Sequence, residues 1–165
     1  MRHVWLWAGK RTDWSSPVKR AALVAVLIIQ MFVFAAQTSA ASFTDRYNTA
    51  YRQFERGRYT QAIRDFRNLL NTDATNDLSD NCQYWIGESY FQLGRYDQAL
   101  VEFDRTLAFP GTNKREDALY KIAQCHEALG ETTLAGELYV RFLADFPQSR
   151  HAPAVLKKLE SLGLL

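Results

Sequence analysis

Cysteine, histidine, methionine and proline are scarce: two, three, two and four among 165 residues. Two cysteines allow at most one disulfide, which an oxidising compartment would permit. The histidines are His3, His126 and His151, with no pair at helical spacing, so a metal centre is not expected. His151 is expected in solvent. No glycine-rich loop stands ready to cradle phosphate, and Ser and Asp form no nucleophile motif. The chain therefore reads as having no catalytic residues and no cofactor. Few prolines and only eight glycines leave room for long helices. Charge of one sign is lacking as well. Basic residues outnumber acidic ones by four in residues 1–40 and are outnumbered by two in the rest. A slightly acidic remainder offers no counter-charge to a phosphate backbone, which excludes nucleic acid as the expected partner.

One segment does carry a long apolar run. Ala21–Ala36 reads AALVAVLIIQMFVFAA, broken only by Gln30, with Lys19 and Arg20 before it and the small stretch from Gln37 to Ser42 after it. A basic flank, an apolar run and small residues describe a secretory signal peptide, with cleavage after Ala40 or Ala41. The run is slightly short of the roughly 20 residues that span a bilayer, yet an uncleaved anchor remains the alternative. No cysteine follows the run, so a lipid cannot be attached there. The expected organisation is an export segment over 1–41 and one domain over 42–165, placed in the periplasm or tethered to the inner membrane.

The domain repeats. AYRQFERGRYTQAIRDF (Ala50–Phe66), GESYFQLGRYDQALVEF (Gly87–Phe103) and AQCHEALGETTLAGELY (Ala123–Tyr139) align with offsets of 37 and 36 residues. Small residues recur at Ala50, Gly87 and Ala123, glycines at Gly57, Gly94 and Gly130, alanines at Ala62, Ala99 and Ala135, and aromatics at Phe66, Phe103 and Tyr139. A fixed period of this size with helical periodicity inside it indicates a solenoid of helix pairs. Each glycine marks a stop and turn. Thr60, Asp97 and Thr133 follow as the expected N-caps of the second helices, and Pro110 and Pro147 close the later units. Helices are predicted over 44–56, 60–71, 79–93, 97–109, 114–129 and 133–145. A capping helix over 152–162 is expected to turn Ala152, Val155, Leu156, Leu159 and Leu162 inward. The fold class is all-α: an α-solenoid of three helix pairs plus a C-terminal cap.

These columns resemble the tetratricopeptide repeat (TPR), a helix pair whose pattern is small–aromatic–Gly–Tyr–Ala–aromatic–Pro. The first unit departs from it with Asn71-Thr72-Asp73 in place of the closing proline, and the third has Thr132 where Tyr59 and Tyr96 stand in the others. Together with Tyr84–Leu107 and Phe142–Gly163, the long spacing resembles the C-terminal domain of the CpoB/YbgF family, periplasmic partners of the Tol–Pal cell-envelope system. The family's N-terminal coiled coil has no counterpart in the expected organisation.

That resemblance implies a protein-binding adaptor of the cell envelope, linked to Tol–Pal or cell division, whose first helices line a concave groove. The inward residues are then Tyr47, Tyr51 and Phe54 from the first unit, Tyr84, Glu88 and Phe91 from the second, and Tyr120, Gln124 and Glu127 from the third. Tyrosine suits a groove because it joins a large apolar face to a polar tip. With Glu55, Glu88 and Glu127 at the rim, the expected occupant is a peptide with apolar and basic residues. Trp85, one residue off this register, is expected to pack between helices. Tyr51, Glu88 and Gln124 stand where some TPR proteins clamp a C-terminal carboxylate with Lys and Asn, so that ligand is not expected. Cys82 and Cys125 differ by seven residues of register on neighbouring first helices, about 10 Å of rise. They are expected as two separate buried thiols.

Overall fold

The computed structural model describes residues 17–165, and most side chains between 18 and 42 lie outside the described set. The signal-or-anchor expectation rests largely on those residues. The chain divides into two units, 1–42 and 43–165. Among the described residues all regular structure is helical: α1 (Pro17–Glu55), α2 (Tyr59–Thr72), α3 (Ser79–Gln92), α4 (Tyr96–Leu107), α5 (Arg115–Ala128), α6 (Thr132–Asp145) and α7 (Ala152–Ser161). The expected helix over 44–56 is the last part of the longer α1. The other six bounds fall within two residues of those predicted. From α2 to α7 each helix packs on its neighbour in sequence, the arrangement of an α-solenoid.

Close approach within each pair comes from a small residue facing an aromatic. Ala50, Ala62, Ala99, Ala123 and Ala135 are fully buried, as are Phe66, Phe103 and Tyr139. At Gly87 the fit is tightest: a Cβ there would lie 2.7 Å from Cε1 of Phe103. The ring of α4 thus occupies the volume that a side chain on α3 would need.

The turns between paired helices are tighter than the sequence implies. Gly57, Gly94 and Gly130 have φ of 71°, 70° and 80°, the left-handed conformation that costs a residue with a Cβ about 1–2 kcal/mol. At each, two backbone bonds close a Schellman motif. The N–H of Gly94 donates to Phe91 at 2.9 Å and that of Arg95 to Tyr90 at 2.9 Å, with equivalent pairs after α1 and α5. The residue after the glycine then starts the next helix at once. The carbonyls of Arg58, Arg95 and Glu131 accept the N–H groups of Ala62, Ala99 and Ala135 at 3.0, 3.0 and 2.9 Å. This corrects the capping expectation. Thr60, Asp97 and Thr133 lie inside the helices, at the second helical residue, and the true N-caps are Arg58, Arg95 and Glu131 without side-chain caps. One residue serves both helix ends, so no position is left for a separate cap.

A buried carboxylate joins the first two pairs. Glu102 on α4 is 4% exposed and takes donors from three helices. Arg67 of α2 lies 2.9 Å from Oε1, Gln83 of α3 2.5 Å from Oε2 and Arg105 of α4 3.0 Å from Oε2. Arg67 also donates to the Tyr90 hydroxyl at 2.9 Å. A buried charge is tolerable only when its lone pairs are satisfied in this way.

The apolar interior falls into two clusters. One runs through the first two pairs and into α5 through Ala118, Ile122 and Cys125. The other is formed by Tyr120, Ala123, Ala135, Tyr139 and Phe142 with Val155 and Leu159 of α7. Val155 and Leu159 are essentially inaccessible, each contributing about 2 kcal/mol of burial. Leu156 is the exception to the expected inner face of the cap: it is 43% exposed.

Gly87→Ala is expected to lower the unfolding free energy by about 1–3 kcal/mol through overpacking. Gly94→Ala, with open space around its Cβ, should lose about 1–2 kcal/mol through backbone strain alone. Urea titrations of both variants measure this. A Gly87→Ala protein as stable as the parent would remove the small-against-aromatic contact as the determinant of helix spacing.

Candidate functional site

The nine residues predicted to face inward separate into two sets. Tyr47, Tyr84 and Tyr120 occupy equivalent places in the three units, and each packs against its own unit's recurring aromatic. The ring centroids lie 5.7 Å apart for Tyr47 and Phe66, 5.6 Å for Tyr84 and Phe103, and 6.3 Å for Tyr120 and Tyr139. The approach to the following unit then covers the later two. Lys114, just before α5, holds its ammonium 5.8 Å from the Tyr84 ring centre. His151, just before α7, stacks on Tyr120 at 4.5 Å and 18°. Tyr84 and Tyr120 are consequently buried, at 7% and 9% exposure. Tyr47 is half-buried, and its hydroxyl accepts the Trp85 indole N–H at 2.9 Å. The structure thus places this column in packing rather than on an open surface.

His151, expected in solvent, belongs to the same closure. Its Nε2 lies 2.8 Å from Oδ1 of Asp117, the oxygen that also receives Arg150 at 2.5 Å. Burial alone would raise the Asp117 carboxyl, but the bonds from His151 and Arg150 overcome it and hold the group below the usual range.

Of the six remaining predicted residues Glu88 is buried and the other five are half-exposed. Tyr51, Phe54 and Phe91 are partly buried, and Trp85 joins them. The Trp85 ring lies 4.8 Å from Tyr51 and 4.9 Å from Phe54, while Tyr51 and Phe54 stack at 6.3 Å and 18°. Trp85 therefore packs between first helices, as its register predicts, and forms one aromatic cluster with Tyr51 and Phe54. Beyond it Lys121 sits 4.4 Å from the centre of Phe91, within range of a cation–π contact. Lys121 also approaches Oε1 of Glu88 to 2.8 Å. That contact is ionic and poorly directed, since the oxygen lacks a well-aligned hydrogen bond. Glu88 itself is 8% exposed. Gln124 donates to the Tyr120 hydroxyl at 3.1 Å. Glu127 accepts the Tyr139 hydroxyl at 2.7 Å and the Lys158 ammonium at 2.6 Å.

These pairs revise the expected acidic rim. Glu88 and Glu127 are already matched by Lys121 and Lys158, and Glu55 is the exposed acid of the three. Sequence reasoning missed Lys121, although it is the third-unit equivalent of Trp85 and one residue beyond Tyr120.

Burial pushes the Tyr47 phenol up to about 12, and the Cys82 and Cys125 thiols up to about 12 as well. Burial also raises Tyr84, Tyr120 and Tyr139, the last with help from Glu127. Both cysteines are free and buried, the two separate thiols that the register predicts. Among the described residues no group of three or more His, Cys, Asp or Glu side chains is placed to hold a metal ion. An inert, apolar surface of this kind can bind, and it holds no poised nucleophile.

Known proteins share the repeat and the fold. A family model described as "Tetratricopeptide repeat" matches residues 117–149, and one described as "Anaphase-promoting complex, cyclosome, subunit 3" matches residues 21–106, just over half of the chain. Neither describes an enzyme. The chain is similar in fold to the type III secretion chaperone SycD of Yersinia enterocolitica in complex with a peptide of the translocator YopD. That likeness has a TM-score of 0.64 at 19% identity over 74% of this chain and 93% of that one. The second TPR domain of human RPAP3, in complex with an HSP70 peptide, gives a TM-score of 0.58 at 18% identity over 77% and 97%. The first TPR of Spaghetti (RPAP3), bound to an HSP90 peptide, gives 0.59 at 18% over 73% and 93%. No curated protein matches.

The chain is a tetratricopeptide-repeat protein, an all-helical array of the kind used for protein binding. Within that class it belongs to the family described as anaphase-promoting complex, cyclosome, subunit 3, by the match over its first two helix pairs.

Because the folded-state values of Tyr47, Cys82 and Cys125, near 12, exceed those of the unfolded chain, these groups favour the native state below about pH 9–10. That contribution is lost as pH rises through about 12. The expected outcome is cooperative alkaline unfolding above about pH 10, seen together in tyrosinate absorbance and far-UV circular dichroism. Both thiols should resist Ellman's reagent until the protein unfolds. Rapid labelling of Cys82 or Cys125 in the native protein would contradict their placement.

Proposed function

We propose that this protein is a non-catalytic interaction module that holds a segment of a partner protein on the inner face of its helix pairs. The observation that carries the proposal is the half-exposed strip Tyr51, Phe54, Trp85 and Phe91, built on rigid helices and lacking any reactive group. Aromatic side chains bury large areas at little entropic cost and dominate binding surfaces for that reason. The peptide complexes of the SycD and RPAP3 domains support the same use of this fold.

The finer reading is a periplasmic adaptor of the cell envelope, with a Tol–Pal or cell-division partner. It is supported by the apolar run Ala21–Ala36 and by the resemblance of the repeats to the CpoB/YbgF domain. A second reading is a scaffold anchored in the inner membrane by the same run. Val24, Val26, Leu27 and Met31 stand 50–72% exposed, a cost in water that lipid removes.

A photo-crosslinking residue in place of Tyr51 is expected to trap one dominant partner, and the additional change Phe91→Ala should reduce that product at least about tenfold. Equal yield with both surfaces would sink the inner-face assignment. For the N-terminal segment, Edman sequencing of the native protein is expected to begin at Ala41 or Ser42. An intact Ala21–Ala36 would replace the exported adaptor by the anchored scaffold.

A further inference from the structure

We infer that the turn end of the first helix pair carries a second docking surface, apart from the inner face. It is an arginine-lined groove that takes a short acidic segment of a partner protein, with an apolar residue between its carboxylates.

Charge is divided unevenly along the array. Residues 43–72 hold six arginines against Asp45, Glu55 and Asp65, whereas residues 73–113 hold two arginines against seven acids. Four of the six, Arg52, Arg56, Arg58 and Arg64, belong to the end of α1, the turn and the first half of α2, and all four are exposed. Among the described residues the arginines that form ion pairs are Arg67, Arg105, Arg141 and Arg150. The four at the turn have none. Their side-chain bonds go to neutral neighbours: Arg52 donates to the Thr49 hydroxyl at 2.9 Å, Arg58 to the Gln53 amide oxygen at 3.4 Å, and Arg64 to that of Gln61.

Arg58 and Arg64 line a groove of 470 Å³ together with Gln53, Gln61, Tyr59 and Leu93. Tyr59 and Leu93 are half-buried, and Tyr59 stands edge-on to Phe54 at 5.4 Å. The groove therefore joins two guanidiniums to an apolar contact surface.

The repeat does not require these guanidiniums. At the same columns Arg58 is followed by Arg95 and Glu131, Arg64 by Val101 and Glu137, and Arg56 by Leu93 and Leu129. Glycine at φ 70–80° and the same two backbone bonds close the turn in all three units, so the backbone forms equally well with the charge reversed. The cluster is a property of the first unit alone, which leaves binding as its use.

Two features select the occupant. Lysine is absent from residues 43–113, and the planar fork of arginine matches a carboxylate through two parallel hydrogen bonds. A long polyanion such as nucleic acid would run on to the second unit, where Asp97 and Asp104 are exposed on α4 and repel it. A short acidic segment avoids them.

The test titrates the full-length protein, in an uncharged detergent, against a fluorescent peptide Glu-Glu-Leu-Glu-Glu, read by polarisation. Its counterpart Gln-Gln-Leu-Gln-Gln is expected to bind at least about tenfold more weakly, and the acidic peptide should lose at least about tenfold between roughly 50 and 500 mM salt. Arg58→Glu/Arg64→Glu, which installs the residues that the third unit carries, should lower affinity at least about tenfold. Arg115→Glu, an exposed arginine elsewhere, should leave it within about twofold. If the double variant misfolds by circular dichroism, Arg58→Gln and Arg64→Gln carry the comparison, each with an expected loss of about threefold or more.

Equal loss in Arg115→Glu would overturn the groove, since general charge would then account for the binding. So would equal affinity for the two peptides, or no saturable binding at all. An oligothymidylate of equal charge that binds more tightly, through the same two arginines, would overturn the acidic segment as occupant.

Discussion

Everything in this fold hangs on how closely two helices of a pair can approach. At Gly87 the ring of Phe103 takes the place of a side chain, and fully buried alanines hold the equivalent positions in the other pairs. That separation decides where the next pair must sit, because the recurring aromatic also supports a tyrosine of the first helix. It decides as well which residues are left over for the surface. The strip from Tyr51 to Phe91 is half-exposed because the tyrosine column next to it has been drawn into the interior.

Charge is used differently from apolar area. Four buried or half-buried acids are met by a base from another part of the array: Glu102 by Arg67, Glu88 by Lys121, Asp117 by Arg150, Glu127 by Lys158. Each of these pairs crosses a helix boundary, and together they bind successive units rather than stabilise single helices. Their net energetic gain over apolar packing is small, but a missing partner would leave a desolvated charge. The array is thereby held to one register.

The repeat and its helices were legible because their determinants are local and recur: a glycine that stops a helix, an alanine that admits a neighbour, an aromatic that fills a gap. The N-caps were misplaced by two residues because the sequence shows a capping residue type at Thr60, Asp97 and Thr133 but not the doubled use of Arg58, Arg95 and Glu131. Helical register correctly grouped Tyr47, Tyr84 and Tyr120 as one column. It could not show that Lys114 and His151, 30 and 31 residues downstream of the tyrosines they cover, close over the later two. The pairing of Glu88 with Lys121 and of Glu127 with Lys158 was hidden for the same reason. Contacts across that span follow from how units stack, and no period within a unit encodes them.

The carboxylate of Glu102 has a mechanical consequence. By gathering donors from α2, α3 and α4, it clamps the first two helix pairs into a single stiff block, and the strip of aromatics lies on that block. A partner tugging on a bound segment would load a rigid plate rather than a hinge. Strain would pass to the junction with α5, where Lys121 and Glu88 supply the nearest polar link. The array is in that sense stiffest over its first two pairs.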